Sequence, residues 1–282
     1  TPSLKLEDWG FKNERLIKEL KGLFSYLYEN TLESKSFEKA GGNSLKDHYN
    51  KFRNLDQRVC PFCGLCYYED RESKTRSAYD HWLARTHYPL AAVNFQNLVP
   101  MCDSCNKRPR KGTKNILFQS ADPSKRQSFY YPYNKICGIK IEVTCLTKPN
   151  PSNPRGKWSV KTTASTVVEE PLVKAWDAVF DIETRFSARI MEGLDGWMKD
   201  FLNVKDYRTT PTLPTLREDL STRAAWLAMP NQLKKRAESA LESAAFSYLA
   251  AEASDPVLAG YARISTSPAI QEIPTVLGKN RN

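Results

Sequence analysis

Apolar residues at three- and four-residue steps define the first predicted element of the chain. Over residues 13–32 this spacing is that of one helix face, and it involves Leu16, Ile17, Leu20, Leu23, Phe24, Leu27 and Tyr28. A Gly-Gly break at 41–42 separates this amphipathic helix from a second, shorter one predicted over 43–53. Residues 1–55 are therefore interpreted as an N-terminal helical region.

The second half of the chain shows two further hydrophobic patterns. Residues 139–145 and 158–162 are strand-like runs on either side of a proline-rich loop, which predicts a β-hairpin within region 136–168. From residue 169 to about 253 the apolar positions return to helical spacing. Residues 169–282 are therefore interpreted as a helical C-terminal domain that ends in a loop or arm from Ser265.

Composition and charge favour a folded protein with an acidic partner. The 282 residues are 40% hydrophobic and 26% charged, an ordinary globular mix that argues against bulk disorder and coiled coil. The 42 lysines and arginines outnumber the 32 acidic residues, and the net charge of +10 favours nucleic acid as a partner. No apolar run approaches the roughly 18 residues of a membrane span, and an apolar secretory signal is lacking. We therefore expect a cytoplasmic protein without a membrane partner.

Two CxxC pairs occupy the middle of the chain, Cys60 with Cys63 and Cys102 with Cys105. Each tight turn presents two thiolates on one side, and two such turns complete a tetrahedral zinc site. Without an export signal we expect reduced thiols or metal ligands rather than disulfides. Two alternatives stay open: the pairs are unrelated thiols, or Cys66, which forms another CxxC with Cys63, replaces Cys60.

A series of polar motifs lies between and just after these pairs. Asp80 and His81 come first, Asn97 follows, and Asn106 comes directly after Cys105. In this order and around these cysteines, the series resembles the HNH endonucleases, the ββα-metal nuclease family. The resemblance covers roughly residues 60–114.

Further motifs are similar to one subgroup of that family. They are Tyr88-Pro89, the run Asn-Leu-Val-Pro at 97–100 and Tyr131-Pro132-Tyr133. HNH proteins of prokaryotic antiviral defence systems share such motifs, including Septu-type nuclease subunits that work beside an ATPase. The resemblance thus implies antiviral defence as the setting, and an ATPase or other defence-system protein as a possible partner.

The family resemblance implies a fold and a set of roles. The fold is α+β, with a ββα-metal core over 56–135 that the four-cysteine zinc site braces and that mainly α-helical regions flank. Asp80 and Asn106 hold one catalytic Mg²⁺ or Mn²⁺, and His81 is the general base. Asn97 supports the loop through backbone hydrogen bonds.

The chemistry of these residue types agrees with those roles. Phosphodiester hydrolysis needs an activated water and charge compensation at the phosphate. The imidazole of His81 can accept a proton near neutral pH, and Asp80 and Asn106 offer the hard oxygens that Mg²⁺ prefers. Because adjacent residues of an ideal strand face opposite sides, we expect irregular backbone at Asp80 and His81. His87 is an alternative base or ligand, but we favour a structural or substrate-positioning role for it.

A basic cluster follows the second cysteine pair. We expect it to contact phosphates, which would set affinity without reading the base sequence, and its members are Lys107, Arg108, Arg110, Lys111 and Lys114. A helix is predicted from about Ser104 towards Ile116. Pro109 and Gly112 weaken this helix and suggest that it bends or restarts.

These features predict a metal-dependent HNH endonuclease that hydrolyses phosphodiester bonds, with DNA as the first expected substrate. Zinc would be structural, and Mg²⁺ or Mn²⁺ catalytic. The alternatives are an RNA-cleaving or partner-activated HNH subunit, and a non-catalytic zinc-braced module that binds nucleic acid. The complete set of Asp80, His81 and Asn106 favours the enzyme.

Overall fold

The computed structural model describes residues 13–41, 44–69, 78–119, 122, 124–131, 133, 138–148, 156–205, 207 and 210–262. Over these residues the chain is a mixed α+β structure of helices and two small antiparallel sheets. None of the helices in the described part is both long enough and apolar enough to cross a membrane. The arm predicted from Ser265 lies outside the described residues.

Helices make up most of the regular structure of the described residues. The helices are α1 (Glu14–Tyr26), α2 (Lys35–Gly41), α3 (Leu45–Asn54), α4 (Asp103–Asn106), α5 (Glu170–Phe180), α6 (Ile182–Lys205), α7 (Leu213–Leu227), α8 (Pro230–Lys235), α9 (Ser239–Ala251) and α10 (Asp255–Ala262). The strands are β1 (Tyr79–His81), β2 (Leu98–Pro100), β3 (Ile139–Thr147) and β4 (Lys157–Ala164). A π-helical turn, Leu27–Thr31, continues α1.

The N-terminal helices α1 and α3 are confirmed, and each begins at a side-chain cap. Asn13 accepts a hydrogen bond from the backbone N–H of Leu16 at 3.1 Å, and Ser44 forms a reciprocal capping box with Asp47. Helix α2 was not predicted. No residue of α1 is buried, so this helix contributes little to the core.

Helix α3 is anchored to strand β1 by a polar contact that the sequence did not predict. The Nδ1 atom of His48 lies 2.8 Å from the hydroxyl of Tyr79, which in turn donates to the carbonyl of Leu45 at 3.2 Å. Around this contact a small separate core has formed from Leu32, Leu45, Tyr49, Tyr79 and Leu98.

The predicted hairpin is confirmed as the antiparallel pair β3–β4, which runs from Ile139 opposite Ala164 to Thr147 opposite Lys157. Three backbone N–H groups of β4 donate to helix side chains. Val160 donates to the hydroxyl of Ser187 at 2.9 Å, and the carboxylates of Glu183 and Glu170 accept from Thr162 and Ala164. These helix side chains satisfy donors that a strand edge would otherwise leave exposed.

The cysteine region and the C-terminal helices share one hydrophobic core. The indole N–H of Trp176 on α5 donates to the carbonyl of Phe62 at 2.7 Å, and Phe62 stacks on Trp82 with ring centroids 5.5 Å apart. The backbone N–H of Glu238 donates to the carbonyl of Gly64 at 2.6 Å. The C-terminal helices therefore hold the first cysteine turn from several sides.

Candidate functional site

Four cysteines form one cluster between the first CxxC turn and the start of α4. The Sγ atoms of Cys60, Cys63, Cys102 and Cys105 lie within 4.8 Å of one another, and all four residues are buried. Gly64 closes the first turn with a positive φ of 64°, which glycine adopts without strain. Four sulfur donors at this separation suit a structural metal such as zinc.

Cys66 is half-buried and is not one of these four cysteines, although its thiol contacts those of Cys63 and Cys102. Its backbone carbonyl accepts a hydrogen bond from the N–H of Cys60 at 2.9 Å. Of the two ligand sets that the sequence left open, the structure therefore assembles the one that contains Cys60.

The cluster has a cationic neighbour that no sequence pattern indicated. The guanidinium of Arg185 on α6 donates to Sγ of Cys105 at 3.4 Å and to the carbonyl of Phe180 at 3.2 Å. Burial raises the pKa of the Cys60 thiol, whereas hydrogen bonds from the neighbouring thiols lower the pKa of Cys63. Because four thiolates around Zn²⁺ carry excess negative charge, a cation beside one sulfur stabilises the loaded state.

Strand β1 carries the first two polar residues of the site. It pairs with β2 in regular register, with Asp80 opposite Val99 and His81 opposite Leu98. The expectation of irregular backbone at these residues was wrong. The chain leaves the strand only after His81, where the N–H of Trp82 donates to the carbonyl of Asn97 at 2.8 Å.

Asp80 is buried, and its carboxylate faces the ammonium of a buried lysine. Oδ2 lies 3.2 Å from Nζ of Lys111 and forms a buried ion pair with it. Burial raises the pKa of Asp80 to about 6, and the nearby ammonium of Lys111 opposes this shift. The ammonium of Lys111 therefore compensates the charge of this buried oxygen in the described structure.

His81 is also buried, and one nitrogen of its ring is held by the backbone. Nε2 lies 3.1 Å from the carbonyl of Ala92. Because a carbonyl only accepts, we assign the proton to Nε2, which leaves the lone pair on Nδ1. Burial lowers the pKa of His81 to about 4, with smaller contributions from Arg85 and Lys111, so the imidazole is neutral near pH 7.

Asn106 and Asn97 contact this strand and the loop that follows it. Asn106, the last residue of α4, directs Nδ2 towards the carbonyl of Tyr79 at 3.5 Å. Asn97 accepts from the N–H of Leu83 at 2.7 Å and donates to the carbonyls of Leu83 and Ala91 at 3.1 and 3.0 Å. The structure thus brings Asn106 beside β1 and joins the two ends of the loop through Asn97.

The basic cluster does not form one exposed surface. Lys107 and Arg108 are exposed, whereas Arg110 and Lys114 are half-buried and donate to the carbonyls of Ser104 and Val179. Lys111 is completely buried. The expectation that Lys111 contacts phosphates at the surface was therefore wrong, because its ammonium is directed into the protein towards Asp80.

The predicted helix through this cluster is also corrected. Helix α4 covers only Asp103–Asn106, and Lys107 is already extended at φ −86° and ψ 161°. Pro109 has no backbone N–H and disfavours helical backbone in the residue before it, so the helix cannot continue towards Ile116.

Two more residues near His81 were not predicted. The ring of Tyr28 makes an edge contact with the imidazole at a centroid distance of 4.3 Å. The guanidinium of Arg85 lies 5.6 Å from the centre of the Tyr28 ring. His87, the alternative base or ligand, is exposed and has its ring next to Tyr88 at a centroid distance of 6.4 Å.

No family model, no curated protein and no solved structure matches this chain at a significant level. The functional proposal therefore depends on the geometry and chemistry of the site residues themselves.

Proposed function

We propose that the protein is a metal-dependent endonuclease of the HNH type that hydrolyses phosphodiester bonds in DNA. The observation that carries this proposal is that strand β1 holds a buried carboxylate, Asp80, next to the neutral imidazole of His81, with the side chain of Asn106 directed at the same strand. Metal-assisted hydrolysis uses a carboxylate that binds a cation and a neutral imidazole. Because adjacent residues of the regular strand β1 face opposite sides, both groups reach one phosphate only after a local rearrangement of this strand.

The donor chemistry of this site fits a catalytic Mg²⁺ or Mn²⁺. Asp80 would hold the ion through its carboxylate, and Asn106 would hold it through Oδ1, since its Nδ2 is directed at the carbonyl of Tyr79. When bound, such an ion supplies positive charge to the phosphate and to the departing oxygen. When the ion is absent, the ammonium of Lys111 balances part of the negative charge of Asp80.

His81 would act as the general base. Nδ1 holds the free lone pair, so this nitrogen takes a proton from the attacking water. The carbonyl of Ala92 accepts from Nε2, which fixes the ring and stabilises the imidazolium that forms. Asn97 supports this arrangement because it binds the carbonyl of Ala91, the neighbour of Ala92.

The four-cysteine cluster would support the site, and the exposed basic residues would bind the substrate. Zinc in the four-cysteine cluster would brace the turn that precedes α4 and thereby the position of Asn106. Lys107 and Arg108, the exposed members of the basic cluster, would contact the DNA backbone. DNA as substrate, antiviral defence as the setting and an ATPase as a possible partner rest on the family resemblance.

The burial of His81 favours a second candidate function. Only 9% of this residue is exposed, so a phosphate reaches it only after a local rearrangement. A partner-activated subunit, silent until another protein or a substrate induces that change, fits this observation, as does a non-catalytic module that binds nucleic acid.

The test is cleavage of plasmid DNA and of a structured RNA by the zinc-loaded protein, with Mg²⁺, with Mn²⁺ or without either ion. We expect ion-dependent cleavage of DNA by the wild type and none by His81→Ala. His87→Ala replaces an exposed histidine and is the matched control, which should retain activity. A folded His81→Ala protein that cleaves like the wild type would refute the mechanism. Nucleic-acid binding without cleavage would favour the second candidate.

A further inference from the structure

An ion pair between two distant parts of the chain lies beside His81. Nη1 of Arg85 is 2.6 Å from Oε1 of Glu29, and the same guanidinium lies over the ring of Tyr28. Tyr28 in turn contacts the imidazole of His81. The Arg85 guanidinium is therefore close to the proposed base, and its charge contributes to the lowered pKa of His81.

This pair is open to solvent, unlike the pair of Lys111 and Asp80. The side chains of Arg85 and Glu29 are 36% and 52% exposed. Ion pairs of this kind contribute little to stability, because water screens the charges and two long side chains lose freedom. A competing anion can therefore replace the Glu29 carboxylate at small cost.

The chemistry of Arg85 identifies the anion. A guanidinium presents a planar fork of donors that matches the oxygens of phosphate as well as those of carboxylate. In the absence of a ligand, Oε1 of Glu29 accepts a hydrogen bond from Nη1 of this fork. It belongs to the turn Leu27–Thr31, in which no residue is buried, so few packing contacts oppose its release.

We propose that Arg85 binds a backbone phosphate of DNA beside His81, and that Glu29 occupies this phosphate site when DNA is absent. The proposal rests on the proposed nuclease function for its choice of ligand. Arg85 is then a substrate-positioning residue that the basic cluster after α4 does not include. The Glu29 carboxylate competes with DNA for Arg85 and so weakens DNA binding. Its ion pair with Arg85 also holds the turn at residues 27–31 beside His81.

The experiment measures DNA affinity without divalent ions, so that binding is read without cleavage. A fluorescein-labelled DNA duplex is titrated with the wild type, Glu29→Gln, Arg85→Gln and the double variant. Glu192→Gln is the matched control, because it removes the same charge from an exposed carboxylate that pairs with Arg189 at 3.7 Å on α6.

We expect Glu29→Gln to bind up to about fivefold more tightly than Glu192→Gln, the range that an exposed ion pair allows. Arg85→Gln should bind more weakly, and the slope of log affinity against log salt should fall by about one because one phosphate contact is lost. The double variant should behave like Arg85→Gln, since Glu29 competes only through Arg85. Arg85→Lys keeps the charge without the fork and should be intermediate.

Equal DNA affinities for Glu29→Gln and Glu192→Gln would overturn this proposal. So would an increase in DNA affinity from Glu29→Gln that persists when Arg85 is also replaced, or a wild type that does not bind DNA. Failure of the nuclease function gives a different pattern. In that case the DNA affinities of the single and double variants of Glu29 and Arg85 change as expected, yet neither the wild type nor His81→Ala cleaves plasmid DNA with Mg²⁺.

Discussion

The ammonium of Lys111 lies 3.2 Å from Oδ2 of Asp80, and the two side chains are only 0% and 5% exposed. The same ammonium donates to the carbonyl of His81 at 3.1 Å. One lysine from the segment after α4 therefore contacts both adjacent residues of β1. Because neither charge reaches water, each offsets part of the desolvation cost of the other.

Replacing Lys111 with methionine should strongly destabilise the protein. The change leaves the Asp80 carboxylate buried without its counter-charge, and breaking a buried pair in this way costs about 3–5 kcal/mol. Urea denaturation of the zinc-loaded protein measures this loss in the free energy of unfolding. The double variant Asp80→Asn/Lys111→Met should be more stable than Lys111→Met alone.

Lys107→Met provides the control for this prediction. Lys107 pairs with Asp103 on the surface, with side chains 72% and 69% exposed, so its loss should cost at most about 1 kcal/mol. Similar losses for Lys107→Met and Lys111→Met would mean that burial of the Asp80 pair has no energetic consequence.

The buried His81 should make stability depend on pH. Its pKa is about 4 in the folded state against an ordinary 6.5, so the unfolded chain binds more protons between these values. Stability should therefore fall as the pH drops through this window, by about 2 kcal/mol from this group at pH 5. The measurement is urea unfolding at pH 7 and pH 5 without Mg²⁺.

His81→Asn is the comparison that isolates this effect. Asp80 acts in the opposite sense, since burial raises its pKa, but it titrates in both proteins. The wild type should therefore lose more stability than His81→Asn between pH 7 and pH 5. Equal losses would show that the imidazole is accessible to protons in the folded protein.

The ligand set of the cysteine cluster can be tested by zinc content. Cys60→Ser removes a buried sulfur of the cluster, whereas Cys66→Ser replaces a half-buried thiol outside it. We expect about one zinc per chain in the wild type and in Cys66→Ser, and a loss of zinc and of thermal stability in Cys60→Ser. Elemental analysis of dialysed protein measures the zinc content. Zinc lost from Cys66→Ser and kept by Cys60→Ser would reverse the assignment.

Arg185 should increase the zinc affinity of the cluster although it is no ligand. Its guanidinium donates to Sγ of Cys105, and removal of such outer contacts typically lowers metal affinity by about 10–100-fold. Arg185→Met should accordingly release zinc at lower concentrations of a competing chelator. Lys199→Met, which removes an exposed cation from the same helix, should retain the wild-type affinity. An unchanged zinc affinity in Arg185→Met would show that the contact of Arg185 with Cys105 does not affect zinc binding.

The sequence predictions were accurate where a feature depends on residues close together in the chain, and less accurate where it depends on distant residues. The periodicity of α1 and the alternation in β3 and β4 are local, and these elements formed where the pattern predicted them. The extended helix after Ser104 did not form, because Pro109 acts on the backbone before it. The two CxxC pairs predicted a metal site, but the choice between Cys60 and Cys66 needed the relative position of the two turns.

By itself, the sequence determined the helical periodicities, the hairpin and the pairing of cysteines into two tight turns, because each depends on residues close together in the chain. Tertiary structure alone decided that Lys111 is buried against β1, that Arg185 contacts the cysteines and that Glu29 meets Arg85. These contacts join residues 30, 80 and 56 positions apart. A basic residue within a charged run has the same local pattern whether it faces water or a buried carboxylate, and only packing distinguishes the two.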